Sequence, residues 1–288
     1  VADANFHELV AHLGRTHLLV EPFVVATGRT LDRSHPLRRL LEPHFEGTIF
    51  INWAAGDFLV APKNVVDQLL SGTIDADRTA SVKVTGSRGF NDSFLRTWLA
   101  AQGLDDATAL PDFPFRDDAL LVWDAIAEWT KAYVAIHWPD EAAIAADTQL
   151  AAWAAEAVSF TGGRVAGFGE GTSGVIRTPG YLADALTMVL FTGSAMHAAV
   201  NFPQGDIMVY APAMPLAGYL PATTASGPVN RNTWLTFLPG LDQAHAQLNI
   251  LHLLGTVYHT ELGKYTDDTF EEPAEKRALD AFQARLEE

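Results

Sequence analysis

The 288-residue sequence contains no cysteine. That absence removes thiolate zinc sites, iron–sulfur clusters, cysteine nucleophiles and disulfide frameworks together. Basic residues are scarce as well, 19 Lys and Arg against 35 Asp and Glu, for a formal charge of -16. A polyanionic backbone would meet net repulsion, which argues against nucleic acid as a partner. Strand patterning is nearly missing: Thr48 to Asn52 and Ile207 to Tyr210 are the candidates, both short and neither with a hairpin partner. There is no internal repeat or low-complexity tract. The first twenty residues hold Asp3, Glu8, Arg15 and three histidines, unlike the basic-then-apolar layout of a secretory signal. The chain also starts abruptly, so a leader upstream is compatible with it.

Asp, Glu, Lys and Arg are absent from one long run, Ala185 to Gly205. The run reaches membrane length. It also carries Thr187, Thr192, Ser194, His197, Asn201 and Gln204, whose polar groups find partners more readily in a protein core than in hydrocarbon. We read it as a buried central helix.

What is present is mainly helical. With 48% apolar and 19% charged residues the chain has ample material for a core. Val122, Ile126, Trp129, Tyr133 and Ile136 recur at helical spacing after Asp117 and Asp118, and Trp138-Pro139 ends that helix. Asp140 is placed to cap an alanine-rich helix reaching about Ala157. Pro36 suits a first helical position, followed by the stripe Leu37, Leu40 and Leu41. Leu279, Phe282 and Leu286 mark a last helix running towards Glu288. The expected fold class is mainly α: one large helical domain over 1–288, with long central core helices and few short strands. Phe160 to Gly174 reads as a glycine-rich loop dividing two helical halves.

Several motifs point nowhere. Gly169, Gly171 and Gly174 match G-x-G-x-x-G, but no strand precedes them. Ser173 lacks the G-x-S-x-G elbow of a serine hydrolase. The pairs Asp117/Asp118 and Asp267/Asp268 read as caps and solvated faces, and Arg38/Arg39 as an exposed helix face.

The informative residues are His12, His17, His197 and Asn201. His12 and His17 are five apart, which in an α-helix leaves them about 140° apart around the axis. Widening to the i→i+5 pattern brings them to about 50°, within reach of one ion. His197 and Asn201 are four apart and share a helix face. Buried imidazole and amide groups each need a partner, and a metal ion would supply several at once. Spacing alone favours satisfied core histidines, with Asn201 capping a stray carbonyl, since neither pair forms H-E-x-x-H.

The local strings are more specific. His12-Leu-Gly-Arg-Thr-His17-Leu-Leu-Val-Glu-Pro-Phe-Val-Val-Ala-Thr27, then His35-Pro36, Leu40-Leu41-Glu42-Pro43-His44-Phe45 and Ile51-Asn52, resemble the iron-binding segment of the lipoxygenases. Ser194-Ala-Met-His197-Ala-Ala-Val-Asn201-Phe202 resembles the second metal helix of that family. Trp123-Asp-Ala-Ile126 and Asp147-Thr-Gln-Leu-Ala-Ala-Trp153 follow in the family's order, so the resemblance covers nearly the whole chain. The wording of His17-Leu-Leu-Val-Glu-Pro-Phe23 and Leu254-Gly-Thr-Val-Tyr-His259 is similar to bacterial members.

The resemblance implies a largely helical non-haem iron dioxygenase that inserts O2 into polyunsaturated fatty acids bearing a cis,cis-1,4-pentadiene. His12, His17 and His197 would be iron ligands and Asn201 a weaker one, with manganese or zinc not excluded by the donor types. Hydrogen abstraction at the bis-allylic carbon would be followed by trapping of the radical by O2 on the opposite face, giving a hydroperoxide. Ala55, in Ile51-Asn-Trp-Ala-Ala55-Gly56, matches the position where alanine accompanies S products and glycine R products. Leu59, Val66 and Leu254 match apolar pocket positions. Free acids and membrane phospholipid esters both stay open as substrates. So does the compartment, bacterial members permitting a periplasmic or secreted home.

Two departures stand out. Members of the family end in a tail whose terminal isoleucine carboxylate completes the iron shell, and this sequence stops at Glu288; the upstream helices over the substrate channel are also missing before Val1. Relatives often have glutamine where Glu8 stands, facing the position of Gln204, and a charge there would tune a bound metal. The competing readings are an inactive helical scaffold without redox metal and a hydrolytic zinc protein. The second lacks a well-spaced glutamate base, Glu8 and Glu21 lying four residues from His12 and His17.

Overall fold

The computed structural model of the chain describes residues 1–220, 228–256 and 259–288. Among them every regular element is a helix and no strand forms. The fold class is mainly α, and both strand candidates are corrected. Thr48 to Asn52 opens the helix Thr48–Phe58, and Ile207 to Tyr210 lies in turns beyond the helix His197–Gly205. Neither segment has a neighbouring strand to take its backbone hydrogen bonds, and a helix satisfies them internally.

Local chemistry sets the helix boundaries. The His35 side chain accepts from the Leu37 amide at the start of Pro36–Leu41, with proline at the first helical position. The 24-residue helix Pro114–His137 stops at Trp138, ahead of Pro139. Asp140 caps Glu141–Ala146 through the Ala143 amide. The alanine-rich stretch then breaks at Asp147, which caps a second helix, Thr148–Val158, through the Leu150 amide at 2.8 Å. The last helix is Pro273–Leu286, opened by a reciprocal cap between Glu272 and Glu275.

The helices gather into two compact units interleaved along the sequence. The first comprises Val1–His17, Ile49–Thr85 and His197–His259; the second comprises Leu18–Thr48, Gly86–Met196 and Thr260–Glu288. The loop 160–174 lies inside the second unit, joining Thr148–Val158 to Pro179–Phe191. Gly169, Gly171 and Gly174 there all take positive φ around a short 3₁₀ turn, Glu170–Thr172, with no strand before it.

The second unit has an aromatic core. Trp129 packs against Tyr133, Phe270 and Phe282, the last stacked at 5.9 Å. Phe23, Phe90, Phe168 and Trp153 form another cluster, with Trp153 Nε1 donating to Thr27 Oγ1. Arg39 differs from expectation: its guanidinium binds the fully buried Glu275 carboxylate at 2.8 Å, and Arg38 pairs with Glu42. A buried carboxylate needs cationic and amide donors, and Arg39, His137 and the backbone amides of Glu271 and Glu272 supply them.

In the first unit the apolar core is small: Ala4, Leu9, Val10, Leu69, Leu70, Met208, Leu216 and Leu251. The charge-free run falls within the helical segment Pro179–Gly205, long and apolar enough to cross a membrane, yet 56% of its most apolar window is buried inside the protein. Its residues up to Met196 belong to the second unit and those from His197 to the first.

Candidate metal centre

The first unit brings together three histidines from distant parts of the sequence. Residues His7–His17 form an eleven-residue π-helix, wound between the short helix Ala2–Phe6 and the helix Leu18–Thr30. The i→i+5 winding places His12 and His17 on one side, so the local widening expected from their spacing is realised over the whole segment. A second π segment, Thr192–Met196, directly precedes the helix His197–Gly205. His197 therefore starts a helix, and Asn201 follows one turn later, both facing the same way.

The three Nε2 atoms converge. His17 and His197 are 3.0 Å apart, His12 and His17 3.1 Å, and His12 and His197 3.3 Å. His12 and Asn201 are buried, and His17 and His197 half-buried. Three nitrogens about 2.0–2.1 Å from one ion are left roughly this far apart, so the triangle fits a single first-row cation. The donor chemistry agrees. Asn52 Oδ1 lies 2.7 Å from His17 Nδ1, which assigns the proton to Nδ1 and leaves the Nε2 lone pair aimed at the shared centre. Burial pushes the His12 imidazole down to about 4, with His7 adding to the effect, and His197 down to about 3, with His17 and His12 adding to it. Neutral imidazoles are the form that binds a metal.

Around this triangle lies a polar layer. Gln204, fully buried, donates from Nε2 to Glu8 Oε2 at 2.6 Å, so the facing pair expected from the sequence does meet. Burial pushes the Glu8 carboxyl up to about 7, opposed by His7 and by the Gln204 amide. Among the described residues, Glu8 Oε1 and Gln204 Oε1 are buried with no hydrogen-bond partner. Glu8 Oε2 stands 3.9 Å from His12 Nδ1, beyond hydrogen-bond range. His7 Nε2 donates to the Val200 carbonyl at 2.6 Å, tying the π-helix to the helix that bears His197.

Sequence reasoning missed two of these residues. Asn52 was legible only as part of a family string, and reading its segment as a strand gave its side chain no role. His7 had a signal that went unused, since His7, His12 and His17 are spaced five by five. The apolar positions are placed as follows. Ala55 lies in the helix Thr48–Phe58, and its carbonyl accepts from the Leu59 and Val60 amides. Val66, in the helix Val65–Leu69, donates its amide to the Leu59 carbonyl at 3.0 Å, so these two are neighbours. Leu254 sits near the end of the helix Leu241–Gly255. Val257 and Tyr258, inside the string from Leu254 to His259, lie outside the described residues.

The lipoxygenase family model matches residues 1–288. The chain belongs to the lipoxygenase family. Members are generally non-haem iron enzymes, and His12, His17 and His197 form a cluster that could hold a metal ion. A linoleate 9/13-lipoxygenase of Pseudomonas aeruginosa is 42% identical over 298 residues, an alignment covering 100% of this chain and 42% of the relative. A mouse polyunsaturated fatty acid lipoxygenase, ALOX8, is 32% identical, covering 99% of this chain and 42% of the relative. Among solved structures, a lipoxygenase variant crystallised anaerobically with arachidonate superposes with a TM-score of 0.92 at 32% identity, over 100% of this chain and 43% of the other. A coral 8R-lipoxygenase superposes with a TM-score of 0.90 at 31% identity, over 99% and 43%. The chain spans about two fifths of the length of the curated relatives it matches.

Proposed function

We propose that this lipoxygenase holds one iron ion through His12, His17 and His197, with Asn201 as a weaker fourth ligand, and oxygenates polyunsaturated fatty acids carrying a cis,cis-1,4-pentadiene. The observation that carries the reading is the convergence of three Nε2 atoms within 3.0–3.3 Å of one another. Iron, when bound, supplies the one-electron change that lets a hydrogen atom leave the bis-allylic carbon. The chain's own residues do the rest. Asn52 holds the His17 ring in the tautomer that presents Nε2, and His7 fixes the Val200 backbone one turn after His197. Glu8 and Gln204 set the polarity behind His12.

Leu59, Val66 and Leu254 line the path of the acyl chain and fix which carbon is presented. The Ala55 methyl covers one end of the pentadiene, steering oxygen to the other end and favouring the S hydroperoxide. Manganese is the less favoured occupant, because the family's redox step uses iron. A free fatty acid is the simplest substrate, and a phospholipid ester presents the same diene.

Purified protein is assayed for metals by mass spectrometry and for conjugated-diene absorbance with linoleate and with a linoleoyl phospholipid. About one iron per chain together with diene formation supports the reading. A folded protein that retains no metal and forms no diene, even after iron loading, overturns it in favour of a helical scaffold. Chiral chromatography of the product tests the finer claim: Ala55→Gly should shift S product towards R.

A further inference from the structure

The helix that carries His197 and Asn201 ends on Gly205, and the helix Leu241–Gly255 packed against it also ends on a glycine. These two glycines meet backbone to backbone. A Cβ on Gly255 would lie 2.6 Å from the Gly205 Cα and closer still to its amide nitrogen, with the Gln204 carbonyl carbon at 3.4 Å. The three atoms nearest to it are all main chain, so the tightest contacts cannot be relieved by a side chain swinging aside. The reverse contact is gentler: a Cβ on Gly205 would meet the Gly255 Cα at 3.2 Å.

Both glycines stand on ridges that matter. His197, Asn201 and Gly205 follow at steps of four along one helix, and Gln247, Leu251 and Gly255 at steps of four along the other. The second helix cannot easily tilt away. Buried Gln247 donates from Nε2 to the Met208 and Met214 carbonyls and accepts from the Leu216 amide through Oε1. The ligand helix is held on another side by Gln204, whose amide binds Glu8 on the π-helix.

We propose that Gly255 is a positioning residue for the metal centre: its missing side chain lets the ligand helix lie deep enough for His197 Nε2 to complete the triangle with His12 and His17. Bringing a new Cβ from 2.6 Å back to an ordinary contact distance near 3.4 Å requires the backbone to retreat by several tenths of an ångström. Metal–ligand distances tolerate only about 0.2 Å, so the triangle should open before the fold fails. The proposal rests on the reading that the three histidines bind a metal.

Cobalt(II) tests it, because its visible ligand-field bands report coordination without any turnover. The full chain and three variants, Gly255→Ala, Gly205→Ala and Gly240→Ala, are stripped of metal and titrated with Co2+. We expect Gly255→Ala to bind about 10–100-fold more weakly and, at saturation, to show shifted bands. Gly205→Ala should lose about two- to fivefold, and Gly240→Ala, which has open space around its Cβ position, should match the parent. Parental affinity and bands in Gly255→Ala overturn the inference while leaving the metal reading intact. Should Gly255→Ala not fold by circular dichroism, Gly205→Ala decides: parental affinity and bands there overturn it equally. A parent chain that binds no Co2+ overturns the metal reading, and this inference with it.

Discussion

The two units bury different things. The unit built from Leu18–Thr48, Gly86–Met196 and Thr260–Glu288 encloses Trp129, Trp153, Tyr133, Phe23, Phe90 and Phe168, all nearly inaccessible to solvent. The other unit has eight buried apolar residues in its cluster, and beside them it buries His12, Asn201 and Gln204. The helix Thr48–Phe58 has no fully buried residue, leaving Phe50 69%, Trp53 57% and Phe58 65% exposed. One unit is held by packing, which gains about 25 cal/mol for each Å² removed from water. The other has a smaller apolar cluster and gathers the imidazoles of His12, His17 and His197 beside it. The larger apolar core and the candidate metal site thus lie in different units, and perturbations should separate along the same line.

The largest effect belongs to the polar unit. His197→Ala removes one corner of the nitrogen triangle and should lower metal affinity by more than about a hundredfold, beyond the loss seen for an outer partner, while the melting temperature of the metal-free chain barely moves. Isothermal titration and calorimetry read the two quantities. A variant that keeps its metal would end the ligand assignment.

Trp129→Ala inverts the pattern. Emptying the site between Tyr133, Phe270 and Phe282 should destabilise the fold by about 3–5 kcal/mol in urea unfolding, with the Co2+ bands unchanged below the transition. Altered bands at full folding would mean the division between the units is not real.

Asn52→Ala should be milder. Without the Oδ1 acceptor, His17 is free to carry its proton on Nε2, and metal affinity should fall about 10–100-fold with little change in melting. An unchanged affinity would assign Asn52 to packing alone.

The smallest effect is a pH dependence in the packed unit. His44 bonds through Nε2 to the Tyr265 hydroxyl at 2.7 Å, and burial pushes its imidazole down to about 4. The unfolded chain, with an ordinary histidine near 6.5, takes up the proton first. The stability tied to neutral His44 is therefore complete above about pH 6.5 and is lost as pH falls towards 4. His44→Gln should flatten melting temperature against pH across that window; an unaltered slope would place the dependence elsewhere.

Much of this was legible in residue order. The helix Pro114–His137 could be read from its apolar spacing and its ending at Trp138-Pro139, and the cap at Asp140 and the helix start at Pro36 from local chemistry alone. The four candidate ligands were legible through the strings around them. Misread features depended mostly on partners outside their own segment. Thr48 to Asn52 has strand-like composition, and only the lack of a second strand makes it a helix. Arg39 resembles any exposed basic residue until Glu275, 236 positions away, is folded beneath it. The break at Asp147 was hidden in an alanine-rich run because its competing partners, Trp138 and His35, lie outside the run.

By itself the sequence determined the helix Pro114–His137 and the starts of Pro36–Leu41 and Glu141–Ala146, because apolar spacing, caps and prolines act over a few residues. It also carried the family's histidine strings, and so the kind of chemistry. Only the tertiary structure decided that Nε2 atoms from residues 12, 17 and 197 stand 3.0–3.3 Å apart, that Asn52 sets one tautomer, and that Gly205 and Gly255 touch. Those are distances between groups up to 185 positions apart along the chain, and they exist only once packing has fixed where each helix lies.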